Sequence, residues 1–245
     1  MAKFFELSMD NFWEDGLKAG YYDTILSNGL NNKRGIQANW HNLTFLEVSK
    51  FLRKKLDHLD YACGPGSLIG KYSKSKSIGI DISETQIQYA NSVYGNAGKF
   101  YSLKQFETLY ENNKYDVITV VGLLEFITDE EIYNLINKLK RLLKKDGKII
   151  LTTPNYNLSM RLLEKLVNRL GKVNYKNQHI NRLNYKKIKK LKFDKIFSNV
   201  ELYNGVNIGV FFSFISINLG RKINNFISKL FNRRFGLITF LVLSN

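Results

Sequence analysis

The stretch 60-DYACGPGSLIGKYS-73 limits the fold more than any other part of the chain. It sets three glycines and a proline where a short apolar run, KLDHLDYA at 55–62, gives way to a helical pattern from Ser67 onward. A strand that passes through glycines directly into a helix is the start of a βα unit. The same alternation continues downstream. SIGIDI at 77–82 reads as a strand and Glu84–Val93 as a helix. Phe100–Leu103 is a short strand, and YDVITVV at 115–121 a strong one. Asp129–Leu143 is a helix capped by Asp129, with Ile132, Leu135, Ile136, Leu139, Leu142 and Leu143 inward. Asp146-Gly147 is read as closing that helix before a strand at 148–152. Upstream, Thr44–Lys54 reads as a helix with Phe45, Val48, Phe51 and Leu52 on one face. Strands alternating with such helices predict an α/β fold with a doubly wound, mostly parallel sheet. In such sheets the ligand sits beyond the carboxyl ends of the strands, where the glycine loop, Asp81, Glu125 and Pro154 all fall.

Spacing sorts the chemistry of the loop. A phosphate loop needs Gly, four residues, then Gly-Lys-Ser/Thr. Gly70-Lys71 supplies the end, but Pro65 stands where the first glycine belongs and Tyr72 where the magnesium-binding hydroxyl belongs. A dinucleotide turn needs Gly-x-Gly-x-x-Gly, whereas Gly64, Gly66 and Gly70 leave the third glycine one place late.

Asp60, Ala62, Gly64 and Gly66, followed by an acid at Asp81, resemble motif I of the class I S-adenosylmethionine (SAM) methyltransferases, D-x-G-C-G-x-G. Ala62 replaces the usual first glycine. The resemblance implies a Rossmann-like seven-stranded sheet with an antiparallel last strand and helical insertions. Leu237–Leu243 is that last strand, in an antiparallel edge hairpin. It also implies S-adenosyl-L-methionine as cofactor, with Asp60 facing the ammonium of its methionine half and Asp81 the ribose hydroxyls. Ile82 lies against the adenine, and the backbone near Leu103 contacts its amine, because 100-FYSL-103 lacks the acid often found there. The chain is similar in particular to the ubiquinone-biosynthesis type of O-methyltransferase. Glu125 and Asp129 match its E-x-x-E-H-spacer-Asp site, while Gly122 and Phe126 replace the first Glu and the His. With those ligand types lost, no metal is expected. Thr153-Pro154-Asn155 resembles the family's T/V-P-N turn. Asn184–Phe193 resembles its helix leading into Gly-Phe, with Lys192 in place of the Gly.

The acceptor is less constrained. Methyl transfer is an in-line displacement in which the enzyme mainly aligns the partners, and a hydroxyl acceptor also needs a base. His41, beside Trp40, and His179, in the insertion after the fifth strand, are candidate bases, and Glu125 is the third candidate to line the cleft. His58, inside the first strand, reads as structural, and Cys63 as a small filler. The Asn/Asp-Pro-Pro-Tyr/Phe motif of amino-group methylation is absent after the fourth strand, where Gly122-Leu123-Leu124-Glu125 stands. The resemblance and this absence together favour O-methylation of a small, apolar or lipid-linked acceptor. An RNA or polyanion methyltransferase, or a non-catalytic relative, is the alternative.

Charge is uneven. Residues 1–137 carry 14 Lys and Arg against 17 Asp and Glu, but residues 138–245 carry 23 against 4. A basic half suits an anionic partner. Within it, Ser159–Gly171 and Asn207–Phe235 read as basic amphipathic helices. In the second, Ile223, Phe226, Ile227, Leu230 and Phe231 share one face, with Arg221, Lys222, Lys229, Arg233 and Arg234 outside it. Such helices either lie in an anionic membrane interface or pack as a lid. Few aromatics interleave the lysines of 186-KKIKKLK-192, which counts against nucleic acid. The reading is one domain over 1–245, with an N-terminal helical cap at 1–42 and insertions at 155–182 and 205–234. A single cysteine and no leader-like pattern predict a cytoplasmic protein, peripheral at the inner face of the membrane.

Overall fold

The computed structural model describes residues 16–110, 114–157, 160–161 and 179–245. The expected helix at Ser159–Gly171 and most of the insertion at 155–182 lie outside these residues, as do the first fifteen residues of the cap.

Seven strands form one sheet: β1 Asp57–Tyr61, β2 Lys76–Asp81, β3 Gly98–Ser102, β4 Tyr115–Val121, β5 Leu143–Pro154, β6 Asn199–Gly205 and β7 Ile238–Ser244. Their order is β3-β2-β1-β4-β5-β7-β6. All are parallel except β7, which runs antiparallel to both β5 and β6. The expected antiparallel edge pair is therefore present, formed by β6 and β7. β7 is an interior strand with every residue buried, β6 is the edge, and a long connection separates them.

The described α-helices are α1 Tyr21–Asn31, α2 Ile36–Val48, α3 Ser67–Tyr72, α4 Glu84–Tyr94, α5 Leu103–Tyr110, α6 Asp129–Arg141, α7 Tyr185–Lys190 and α8 Ile217–Leu230. They cover both faces of the sheet. One apolar layer joins Leu59, Ile118, Val120, Ile149 and Leu151 of the sheet to Ile132, Ile136 and Leu139 of α6. The other joins Val117, Ile150 and Val242 to Leu43 and Val48 of α2 and Leu68 of α3. Central strands buried on both sides explain the near-continuous apolar runs of β4 and β7.

Three boundaries differ from the sequence reading. The helix expected at Thr44–Lys54 begins at Ile36, so it is continuous with the cap that was bounded at residue 42. It ends at Val48, where a 3-10 turn, Ser49–Phe51, takes over. The cap of α6 is Thr128 and not Asp129: the Thr128 hydroxyl accepts from the Glu131 N–H while the Glu131 carboxylate accepts from the Thr128 N–H. Asp146-Gly147 does not close a helix. The chain leaves α6 at Leu142 and pairs at once, Leu143 opposite Tyr115 and Lys148 opposite Val117, so both residues lie in an irregularity within β5.

The helix before Phe193 is present as α7, capped by the Asn184 side chain on the Lys187 N–H. Lys192 follows it at φ 52. That is the left-handed position after a helix that glycine normally fills, and the lysine side chain there is exposed. A residue with a Cβ pays about 1–2 kcal/mol for this conformation. Lys192→Gly should therefore raise stability by roughly 0.5–1 kcal/mol. This would appear as a higher urea midpoint with an unchanged slope.

Candidate active site

The carboxyl ends of β1, β2 and β4 meet at the glycine loop. Asp60 is buried near the end of β1. Ala62 follows at φ 61, then Gly64 at φ 52 and Gly66 at φ 79. Three left-handed residues within five reverse the backbone so that Gly66 precedes α3. A Cβ on Gly66 would lie 2.7 Å from the Phe100 ring, whereas one on Gly64 would meet nothing within 4 Å. Gly64 therefore fronts open space. Asp81, at the end of β2, holds the loop from the side. One carboxylate oxygen accepts the Gly64 N–H at 2.8 Å and the other the Ser83 N–H at 2.9 Å. Ser83 in turn caps α4. Ile82 is half-buried between Asp81 and Ser83, and Leu103 opens α5 beyond β3, packed on the sheet.

Behind the loop runs a buried polar line. The Thr119 hydroxyl donates to Asp60 Oδ1 at 2.5 Å. His58 Nε2 lies 2.8 Å from the same Thr119 hydroxyl, and His58 Nδ1 lies 2.9 Å from the Ser77 hydroxyl. Burial pushes the His58 imidazole down to about 3, so it is neutral. Both ring nitrogens are bonded, as a structural histidine requires. Burial, with Asp81 adding to it, pushes the Asp60 carboxyl up to about 7 against the opposing bond from Thr119.

The N-terminal helices are fastened to the same region. Asp23 of α1 is buried and accepts hydroxyls from Ser67 at 2.7 Å, Tyr94 at 2.6 Å and Tyr89 at 2.9 Å. Gln86 of α4 accepts the Gly20 N–H at 3.0 Å. Ser67 immediately follows Gly66, so the cap is tied to the loop itself. No feature near Asp23 in the sequence points to these partners.

Beyond β4, Gly122 turns the chain at φ 69 into a short 3-10 turn that carries Glu125. Glu125 is buried and accepts from the Thr153 hydroxyl of β5 at 3.3 Å. Burial pushes its carboxyl up to about 7. The Asn181 N–H donates to the Glu125 carbonyl at 3.0 Å. His179 reaches the same place: its ring lies 5.3 Å from Phe126, and its Nδ1 is 2.7 Å from the Tyr156 hydroxyl. Glu125 and His179 thus come together around Phe126, where Tyr156 and Thr153 were not anticipated. His41 does not join them. Its ring packs between Tyr22, edge to face at 5.5 Å, and Phe45, tilted at 6.1 Å, and burial pushes it down to about 4. Among the described residues no three of His, Cys, Asp and Glu are grouped as a metal would need.

Residues 34–192 match a family model described as a methyltransferase domain, and the chain belongs to that family. Solved structures agree in fold. A SAM-dependent methyltransferase from Archaeoglobus fulgidus is 17% identical with a TM-score of 0.57, over 81% of this chain and 90% of that one. The plantazolicin methyltransferase BamL, solved with a triazolic desmethylPZN analogue and S-adenosylhomocysteine (SAH), is 20% identical with a TM-score of 0.56, over 91% and 88%. The magnesium protoporphyrin IX methyltransferase ChlM from Synechocystis PCC 6803, solved with SAH, is 17% identical with a TM-score of 0.54, over 97% and 98%. No curated protein sequence matches the chain. By family the protein is a methyltransferase, and its fold is that of solved SAM-dependent methyltransferases. The residues fit that cofactor. Asp60 bears its burial without a neighbouring cation among the causes that set its pKa, which suits a site whose positive charge arrives with the ligand's ammonium.

Two outcomes follow. Asp23→Ala leaves four hydroxyls without this acceptor, that of Ser27 at 3.4 Å and the three above, and should cost about 2–4 kcal/mol, read from the urea midpoint. An ammonium favours the ionised Asp60, so SAM affinity should rise as pH rises through about 7. Calorimetry across that range should show the rise, and Asp60→Asn should flatten it.

Proposed function

We propose that the cleft between the glycine loop and the Glu125–His179 cluster transfers a methyl group from SAM to a hydroxyl of a small, apolar or lipid-linked acceptor. One observation carries this reading: the buried Glu125 carboxyl, pushed up to about 7, beside the aromatic surface of Phe126. A carboxyl with that affinity for protons exchanges them near neutral pH, which general-base work on a hydroxyl needs. The sulfonium of the bound cofactor supplies an activated methyl carbon. The acceptor oxygen forms a bond to that carbon as the carbon–sulfur bond breaks, and its proton passes to Glu125. The Tyr156 hydroxyl at His179 Nδ1 orients that imidazole beside the acceptor. The site residues proposed for the cofactor are Asp60, Ala62, Gly64, Gly66, Asp81, Ile82 and Leu103.

The acceptor class draws support from the Phe126 ring beside His179. Two fold neighbours are named for plantazolicin and for magnesium protoporphyrin IX. The resemblance to ubiquinone-type O-methyltransferases supports oxygen as the target atom.

With SAM saturating, turnover should rise with pH through about 7 as Glu125 ionises. Glu125→Gln should lower turnover by at least about a hundredfold while leaving SAM affinity unchanged. Methyl-labelled SAM incubated with a total cell extract should place label in the organic-extractable fraction, dependent on Glu125. Label recovered in RNA would overturn the acceptor class.

A further inference from the structure

We propose that the face built by residues 208–235 docks on an anionic phospholipid surface, independently of which acceptor is methylated. Helix α8 meets the protein through one apolar residue at its start and, beyond it, through a small and a polar one. Its buried positions are Ile217, Gly220 and Asn224. A Cβ on Gly220 would lie 2.0 Å from the Ser213 hydroxyl, and the Asn224 side chain accepts the Asn207 N–H at 2.8 Å. The apolar stripe of the helix is elsewhere. Leu219, Ile223, Phe226 and Leu230 are spaced four, three and four apart, so they line one side. Phe226 is 66% and Leu230 64% exposed. Phe214 and Ile215, just before the helix, and Phe231 and Phe235, just after it, are also exposed. The rings of Phe231 and Phe235 meet edge to face at 5.2 Å. An exposed apolar strip of this length marks an interaction site.

Charge selects the occupant. Lys222 and Lys229 lie seven residues apart on one flank of the stripe, and both are exposed. The chain has no Asp or Glu after Glu201. Phenylalanine and leucine side chains without a hydrogen-bonding group among them suit a fluid acyl layer, and lysines alongside suit the negative headgroups above it. Arg233 is engaged with Glu47 at 2.7 Å and braces the end of the helix against α2. Among the described residues no helix is long and apolar enough to cross a membrane, so the contact is interfacial.

The test is co-sedimentation of the full chain with vesicles of phosphatidylcholine alone and with vesicles that also contain phosphatidylglycerol. Binding is expected only to the second kind. Lys222→Gln with Lys229→Gln should weaken it by about tenfold or more, and salt should weaken it as well. Phe226→Ser with Leu230→Ser should abolish it while leaving the thermal melt unchanged, since both side chains are exposed. The proposal is overturned by three outcomes: no binding to phosphatidylglycerol vesicles, binding retained in the Phe226 and Leu230 variant, or a dimer in vesicle-free sedimentation that this variant dissolves. The last would make a second copy of the chain the occupant.

Discussion

The carboxylate of Asp81 holds the Gly64 N–H on one oxygen and the Ser83 N–H on the other, and the active-site end of the sheet is organised around that pair of bonds. They join the loop after β1 to the turn after β2, across the two strands whose register sets Asp60 opposite Gly79. With the loop fixed, Gly66 can deliver the chain into α3, Ser67 can meet Asp23, and the N-terminal helices are drawn over the same end of the sheet. A carboxylate accepting backbone donors is a rigid device, because the donors cannot rotate away as hydroxyls can.

Two buried carboxyls near this end are left in an unusual condition. Asp60 and Glu125 are both pushed up to about 7, chiefly by burial. Each is bonded to a threonine hydroxyl, Thr119 and Thr153, and neither hydroxyl brings a charge. Such groups are costly to keep ionised in the folded chain alone. Asp60 becomes easier to ionise when a cationic ligand arrives. Glu125, buried beside the Thr153 hydroxyl, would be able to take a proton in the reaction proposed above. The environment, and not the residue type, divides their roles.

Much of this was legible in the sequence. The order of strands and helices followed from apolar period, the glycine spacing counted against a phosphate loop and a dinucleotide turn, and the resemblance of the same loop to motif I pointed to a methyl donor. The structure also explains two departures from the family pattern. Ala62 and Lys192 stand where glycines are usual, and both adopt the left-handed backbone that makes glycine usual there. Other features left no local trace. Asp23 finds Tyr94 across 71 residues through helix packing, and His58 finds Thr119 across 61 through strand register, and no window of sequence contains either. His58 and Thr119 were visible only as polar residues inside apolar strands. In α8 the period correctly marked an apolar stripe but could not say which way it faces. Gly220 and Asn224, which carry no hydrophobic signal, make the inward contact together with Ile217.

The central claim is that the Asp60–Gly64–Asp81 cradle is the cofactor site. The most direct measurement is calorimetric titration of SAM and SAH into the wild-type chain and into Asp81→Ala, with the thermal melt of each recorded beforehand. The account predicts that both ligands bind the wild type and that a folded Asp81→Ala chain binds each at least about a hundredfold more weakly. Failure of the wild type to bind either ligand, or equal affinity in the two chains, would contradict it.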